Sequence, residues 1–148
     1  MLFLFEGVFL IKKGINVERS LVKKLWENGF ATIRVPASGA GSSRYPMPDI
    51  ISGNGKRYLA FEVKYTSNKI LYVDKHDINE LKDFSEIFGA EPYLAVKFND
   101  DKKFYFLIID DLIMTRSNNY KITRELTLEK GLTLDMLIKN SIKIPLNW

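Results

Sequence analysis

Pro48-Asp49-Ile50-Ile51 and Phe61-Glu62-Val63-Lys64 are the two stretches on which the fold of this chain turns. The first sets a carboxylate beside a proline at the head of an apolar run. The second sets Glu62 and Lys64 two positions apart inside an apolar run, so on a β-strand both side chains project to one face. Between them lies Asn54-Gly55. Asn-Gly flanked by apolar runs is the strongest short-range hairpin signal. Asp49 to Ser52 and Arg57 to Tyr65 therefore read as paired strands, with Asp49 and Glu62 meeting at one end of the pair.

Working outward, Asn16 to Asn28 has helical spacing, with Val17, Leu21, Val22, Leu25 and Trp26 as its apolar stripe. Asn16 suits an N-cap and Gly29 a C-terminal stop. Phe30 to Pro36 alternates like a strand, and Ala37 to Met47 is a Gly/Ser-rich loop carrying Arg44. Asp74 to Phe88 reads as a second helix, capped by Asp74, buried through Ile78, Leu81, Phe84 and Phe88, and ended by Gly89. Tyr93 to Phe98 and Lys103 to Ile109 read as two more strands. Asp110 to Met114 reads as a short helix and Thr133 to Asn140 as a C-terminal one. This order describes an α/β domain in which a central mixed β-sheet is flanked by helices.

At 148 residues, 46% apolar and 27% charged, the chain fits one globular domain spanning 1–148. Residues 1–11 form an apolar N-terminal extension with Glu6 as its only charge, and 12–148 form the core. The extension is too short to span a bilayer, which takes roughly 20 apolar residues. It also lacks the basic leader of a signal peptide. It is read as an extra strand or arm packed on the domain or on a partner subunit. No membrane association is expected. The net charge of +4 and the pI near 9.2 have the sign that suits a polyanionic partner. There is no cysteine, which removes disulfides, thiolate catalysis and Cys-zinc sites and is compatible with a reducing cytoplasm. With His76 the only histidine, oxygen ligands must hold any metal, and they suit Mg²⁺ or Mn²⁺.

Phosphodiester hydrolysis needs an activated water, charge relief at phosphorus and a stabilised leaving oxygen, all of which divalent metals supply. Mg²⁺ keeps several waters, so one or two carboxylates suffice as protein ligands. Asp49 and Glu62 meet that count, and the Val63 carbonyl offers a further oxygen. Lys64, on the face of Glu62, can orient water or offset phosphate charge. Glu18 lies on the apolar side of the first helix, either as a favourable charge near a helix N-terminus or as a group aimed into a site. Arg34, a cation inside an apolar strand, needs a phosphate or carboxylate partner. The Ser38-Gly39 loop can hold a phosphate oxygen or be an ordinary flexible loop.

Gly14, Val17-Glu18-Arg19, Gly29-Phe30, Arg34, Pro36-Ala37-Ser38-Gly39, Pro48-Asp49-Ile50-Ile51, Glu62-Val63-Lys64 and Gly131-Leu132-Thr133-Leu134, in this order and spacing, resemble the archaeal Holliday junction resolvases. These form a branch of the PD-(D/E)xK nuclease superfamily with a restriction-endonuclease-like fold. The resemblance runs from about Lys13 to Asn140. It implies a metal-dependent homodimer in the cytoplasm of an archaeal or virus-infected cell, cutting four-way junction DNA with paired, symmetric nicks. It implies that Asp49, Glu62 and Lys64 are the catalytic core and Glu18 a further metal-linked acid. Arg19, Arg34 and Ser38 would contact the scissile phosphate or the DNA backbone, Ser38 within the catalytic site, and Arg44 would add a cation in the loop. Two features depart from the family pattern. Met1 to Ile11 stands where a short basic arm is expected, and Tyr45-Pro46-Met47 leaves the loop less basic.

Two other functions remain open on the residues alone. One is a restriction- or repair-like endonuclease acting on duplex or flapped DNA. The other is a non-catalytic DNA-binding module on the same fold, although such modules typically lose a ligand or the lysine. Phe104 to Leu107 implies a strand buried on both faces, in the core or against a dimer partner.

Overall fold

The computed structural model describes residues 2–36 and 45–139, with side chains from residue 13 onward. The chain opens with α1 (Leu2–Glu27). Val17, Leu21 and Leu25 recur every four residues and press one stripe into the core. The helix stops at Gly29, whose φ of 85° is left-handed. The Phe30 N–H reaches back to the Leu25 carbonyl at 3.0 Å, and the Gly29 N–H reaches that of Trp26 at 3.1 Å. This is a Schellman ending, closed by the burial of Phe30 with Leu25. The apolar extension is not a separate strand or arm: residues 2–11 continue α1, so Asn16 lies inside the helix and caps nothing.

β1 (Ala31–Arg34), β2 (Ile50–Gly53) and β3 (Tyr58–Thr66) follow as antiparallel neighbours. The β2–β3 register pairs Ile50 with Phe61 and Gly53 with Tyr58. The turn centres on Gly55-Lys56, one residue beyond the Asn-Gly pair. Gly55 takes φ 87°, Asn54 N–H meets the Arg57 carbonyl at 3.1 Å, and Asn54 Oδ1 accepts from Lys56 and Arg57 N–H. Arg57 is then buried. It grips Glu91 with two bonds of 2.9 and 2.8 Å and donates to the Leu137 carbonyl at 2.7 Å.

β4 (Ile70–Asp74) and α2 (Lys75–Phe88) form the crossover from β3 to β5 (Glu91–Phe98), its parallel neighbour. Asp74 caps α2 by accepting from His76 N–H at 2.8 Å, and left-handed Gly89 ends it. β6 (Phe104–Ile108) completes a five-stranded mixed sheet in the order β1-β2-β3-β5-β6. Both faces of β6 are filled by the chain itself: Phe104 and Phe106 join the cluster on the α1 side, and Leu107 joins that on the other. The strand is core rather than a dimer surface. Residues Asp110 to Met114 are not a helix. A 3₁₀ turn over Ile109–Asp111 leads into β7 (Ile113–Met114), which with β8 (Asn119–Thr123) and β4 makes a second, three-stranded sheet. α3 (Arg124–Lys130) and α4 (Leu134–Lys139) close the described chain.

Two apolar clusters lie on opposite faces of the large sheet. Leu59, Phe61, Tyr93 and Ala95 point toward α1 and α4, together with Leu21, Leu25 and Leu137. Leu94, Val96 and Phe98 point toward α2 and the small sheet, together with Val73, Ile78 and Ile122. Along β3, Leu59, Phe61 and Val63 therefore face α1, and strand alternation turns Glu62 and Lys64 toward α2. The exposed side of α2 carries Phe88 and Ile87, so Phe88 is not part of its buried face.

Candidate active site

The hairpin places Asp49 where β2 begins, and it is buried. Its backbone is held on both sides: Asp49 N–H donates to the Phe61 carbonyl at 2.9 Å, and Val35 N–H donates to the Asp49 carbonyl at 2.8 Å. Its Oδ2 accepts the Val63 N–H at 2.8 Å. The N–H and C=O of one strand residue project to the same edge. The Val63 carbonyl thus shares the edge that Asp49 occupies.

Glu62 and Lys64 meet as their spacing requires, with Lys64 Nζ 3.6 Å from Glu62 Oε1. Burial and the neighbouring Asp49 charge push the Glu62 carboxyl up to about 9. Burial alone would push the Lys64 ammonium down, but the carboxylates of Glu62, Asp77 and Asp49 outweigh it and hold Lys64 above its ordinary value. Asp77, from the first turn of α2, lies 3.6 Å from Lys64 Nζ through Oδ2. The sequence motif does not single out Asp77. The signal that finds it is structural: α2 covers the face of β3 that carries Glu62 and Lys64.

Glu18 comes from the α1 side and is half-buried. Burial and the Asp49 charge raise its carboxyl above the ordinary range, against the opposing pull of Arg34 and Lys64. The Arg34 partner is this carboxylate, with Nη1 3.2 Å from Glu18 Oε2. Arg19 is exposed one position along α1. Glu18, Arg34, Asp49, Glu62, Val63 and Lys64 are thus brought together from α1, β1, β3 and the loop that enters β2. Ser38 and Arg44 lie outside the described residues.

Among the described residues no three acidic or imidazole side chains form a ready cage for an ion. The donor chemistry nevertheless fits a hard divalent cation. Two neighbouring carboxyls, one of them pushed up by burial and by the other's charge, share a site that a cation would stabilise in the fully ionised form. Two carboxylates and one backbone oxygen match the few protein ligands Mg²⁺ takes.

Known proteins resemble this chain in sequence and in fold. Residues 10–144 match the family model described as archaeal Holliday junction resolvase (Hjc). The chain is 43% identical over 106 residues to the crossover junction endodeoxyribonuclease Hjc of Archaeoglobus fulgidus, covering 72% of this chain and 76% of that protein. It is 40% identical over 124 residues to the Hjc of Methanocaldococcus jannaschii, covering 84% of each. The solved structure of Archaeoglobus fulgidus Hjc superposes with a TM-score of 0.76 at 35% identity, over 86% of this chain and 96% of that one. With the hairpin, the carboxyl pair and the covering helix in place, the chain belongs to the archaeal Holliday junction resolvase family.

Proposed function

We propose that this chain is a structure-selective endodeoxyribonuclease that resolves four-way DNA junctions by paired symmetric nicks. The observation that carries the reading is the convergence of Asp49, Glu62 and Lys64 at one end of the β2–β3 hairpin. Asp49, Glu62 and the Val63 carbonyl would hold Mg²⁺, or Mn²⁺ in its place, with Glu18 as a further acid at its edge. When bound, the ion supplies Lewis acidity at the phosphate and makes water acidic enough to attack at neutral pH.

The side chains divide the remaining work. The Lys64 ammonium sits beside Glu62 and offsets the charge that builds on the phosphate during attack. Arg34 uses one guanidinium nitrogen on Glu18, which leaves its other N–H donors for a phosphate oxygen. Arg19 and, in the loop, Ser38 and Arg44 bind backbone phosphates. Such contacts carry little base information, so selection falls to the shape of the junction. A junction presents two equivalent scissile strands, and a two-fold homodimer would present two equivalent sites.

An apolar cleft of about 480 Å³ lined by Tyr45, Pro46, Met47, Phe84, Ile87 and Phe88 supports the dimer. Ile87 is 87% exposed there, and exposed apolar clusters of this kind mark protein contacts. No helix among the described residues is long and apolar enough to cross a membrane. Acting on junction DNA in an archaeal or virus-infected cell, the enzyme would work in the cytoplasm. A synthetic four-way junction and an equal-length duplex, each incubated with and without Mg²⁺, test the reading. Symmetric nicking of the junction with Mg²⁺ is expected, and preferential cutting of the duplex would sink it.

A further inference from the structure

Asp77 lies outside the motif, and the mechanism above does not use it. Strand alternation turns Glu62 and Lys64 toward α2, and the first turn of that helix delivers Asp77 to within 3.6 Å of Lys64 Nζ. With Asp74 as N-cap, Asp77 occupies the third helical position. From there an acidic side chain often reaches back to the cap's own N–H. Here it faces Lys64.

We propose that Asp77 is a positioning residue that holds the Lys64 ammonium in place for phosphodiester hydrolysis, an inference that rests on the nuclease reading above. Lys64 has two carboxylate neighbours at the same 3.6 Å distance, Glu62 and Asp77. Glu62 is committed elsewhere: it lies within the field of the Asp49 carboxyl, and in the proposed function it also binds the cation. Each demand on Glu62 weakens its hold on a lysine whose long stem is otherwise free to rotate. Asp77 has no such demand. It stands on a separate element, anchored by Ile78 and Leu81, both fully buried. It therefore keeps one end of the lysine's electrostatic cradle fixed while the other end serves the cation.

The competing role for Asp77 is a favourable charge at a helix N-terminus, and the test separates the two. In single-turnover cleavage of a four-way junction, Asp77→Ala and Asp77→Asn should each slow nicking about ten- to hundredfold, as loss of an orienting partner does. Asp77→Glu should recover much of the rate. Junction affinity without metal should stay at the wild-type level. In a Lys64→Ala background, Asp77→Ala should cost nothing further, because its effect runs through Lys64. In metal-free protein, Asp77→Asn should also displace the Lys64 Nζ–Hζ NMR signal, assigned by its loss in Lys64→Arg. An equal loss of rate with and without Lys64 assigns Asp77 to the helix and overturns the proposal, as does an unmoved Lys64 signal. Wild-type nicking with Asp77→Ala at full rate overturns this inference alone. A wild type inert on both junction and duplex overturns it together with the nuclease reading.

Discussion

The Val63 N–H donates to Asp49 Oδ2 at 2.8 Å, so the strand that carries Glu62 and Lys64 also fixes the carboxylate facing them. Neither half of the motif can shift without the other. Asp49→Asn keeps an oxygen that can accept this bond but removes the charge. We expect this variant to melt near the wild-type temperature and bind the junction, while nicking falls about 10³-fold, the scale of losing one charge-stabilising group. Gel analysis of nicked junction against time, beside a melting curve, checks both parts.

The Glu62 carboxyl, pushed up to about 9 from an ordinary value of 4.5, makes metal-free stability depend on pH. The folded state holds this proton more tightly than the unfolded chain does. Its contribution is fully present below about pH 4.5 and is lost as pH rises toward 9. Glu62→Gln removes the ionisation, so the variant should be more stable than wild type at pH 8–9 by about 1–3 kcal/mol. Urea titrations in chelator across that range measure it. Mg²⁺ should narrow the gap by stabilising wild type alone.

Ile87 sits on the outer side of α2 beside Phe84 and Phe88. In the proposed dimer, a charge there would be buried against a second copy. Ile87→Glu should shift the protein from dimer to monomer by sedimentation velocity and leave the monomer's melting temperature within a few degrees, since the residue is exposed in the single chain. A wild type that sediments as a monomer at tens of micromolar, about the range of weak self-association, would contradict the dimer.

Arg57 joins the hairpin turn to β5 and α4, holding Glu91 bidentately and donating to Leu137. Arg57→Met would leave the Glu91 carboxylate without its partner and should cost about 3–5 kcal/mol in urea unfolding. Adding Glu91→Gln should recover part of that loss, because the stranded charge is then gone. The remaining folded protein should nick normally, since Arg57 lies at the end of the hairpin away from Asp49.

The sequence is legible where structure is set by nearby residues. Period-two alternation and a turn signal between the two runs bring Asp49, Glu62 and Lys64 to one end of a hairpin, but the register that sets Asp49 level with Glu62 follows from a turn centred on Gly55-Lys56, which Asn54-Gly55 does not predict. The four-residue spacing of Val17, Leu21 and Leu25 sets Glu18 beside the buried stripe but leaves its role open, which the 3.2 Å contact with Arg34 decides. Residues 2–11 are apolar but for Glu6 and Gly7, so their periodicity distinguishes neither helix nor strand, and only continuity with α1 decides. The small sheet is illegible for another reason. Its strands are short, and β4 pairs with β8 across more than a third of the chain, as in Ile70 with Thr123. Asp77 is hidden because an acid in a first helical turn is ordinary until the face of β3 beneath it is known.

The opposite orientations of Phe61 and Glu62 on β3 constrain how this gene can change by insertion and deletion. Gly55 and Lys56 are exposed at the tip of the turn, so residues added between them lengthen a loop and leave both faces in phase. A single codon gained between Leu59 and Lys64 would instead invert the strand beyond it, sending the acid and the lysine into the oily layer under α1 and core residues toward α2. Lineages of this protein can therefore experiment with the length of the hairpin, while the tetrapeptide that follows is inherited whole or lost whole.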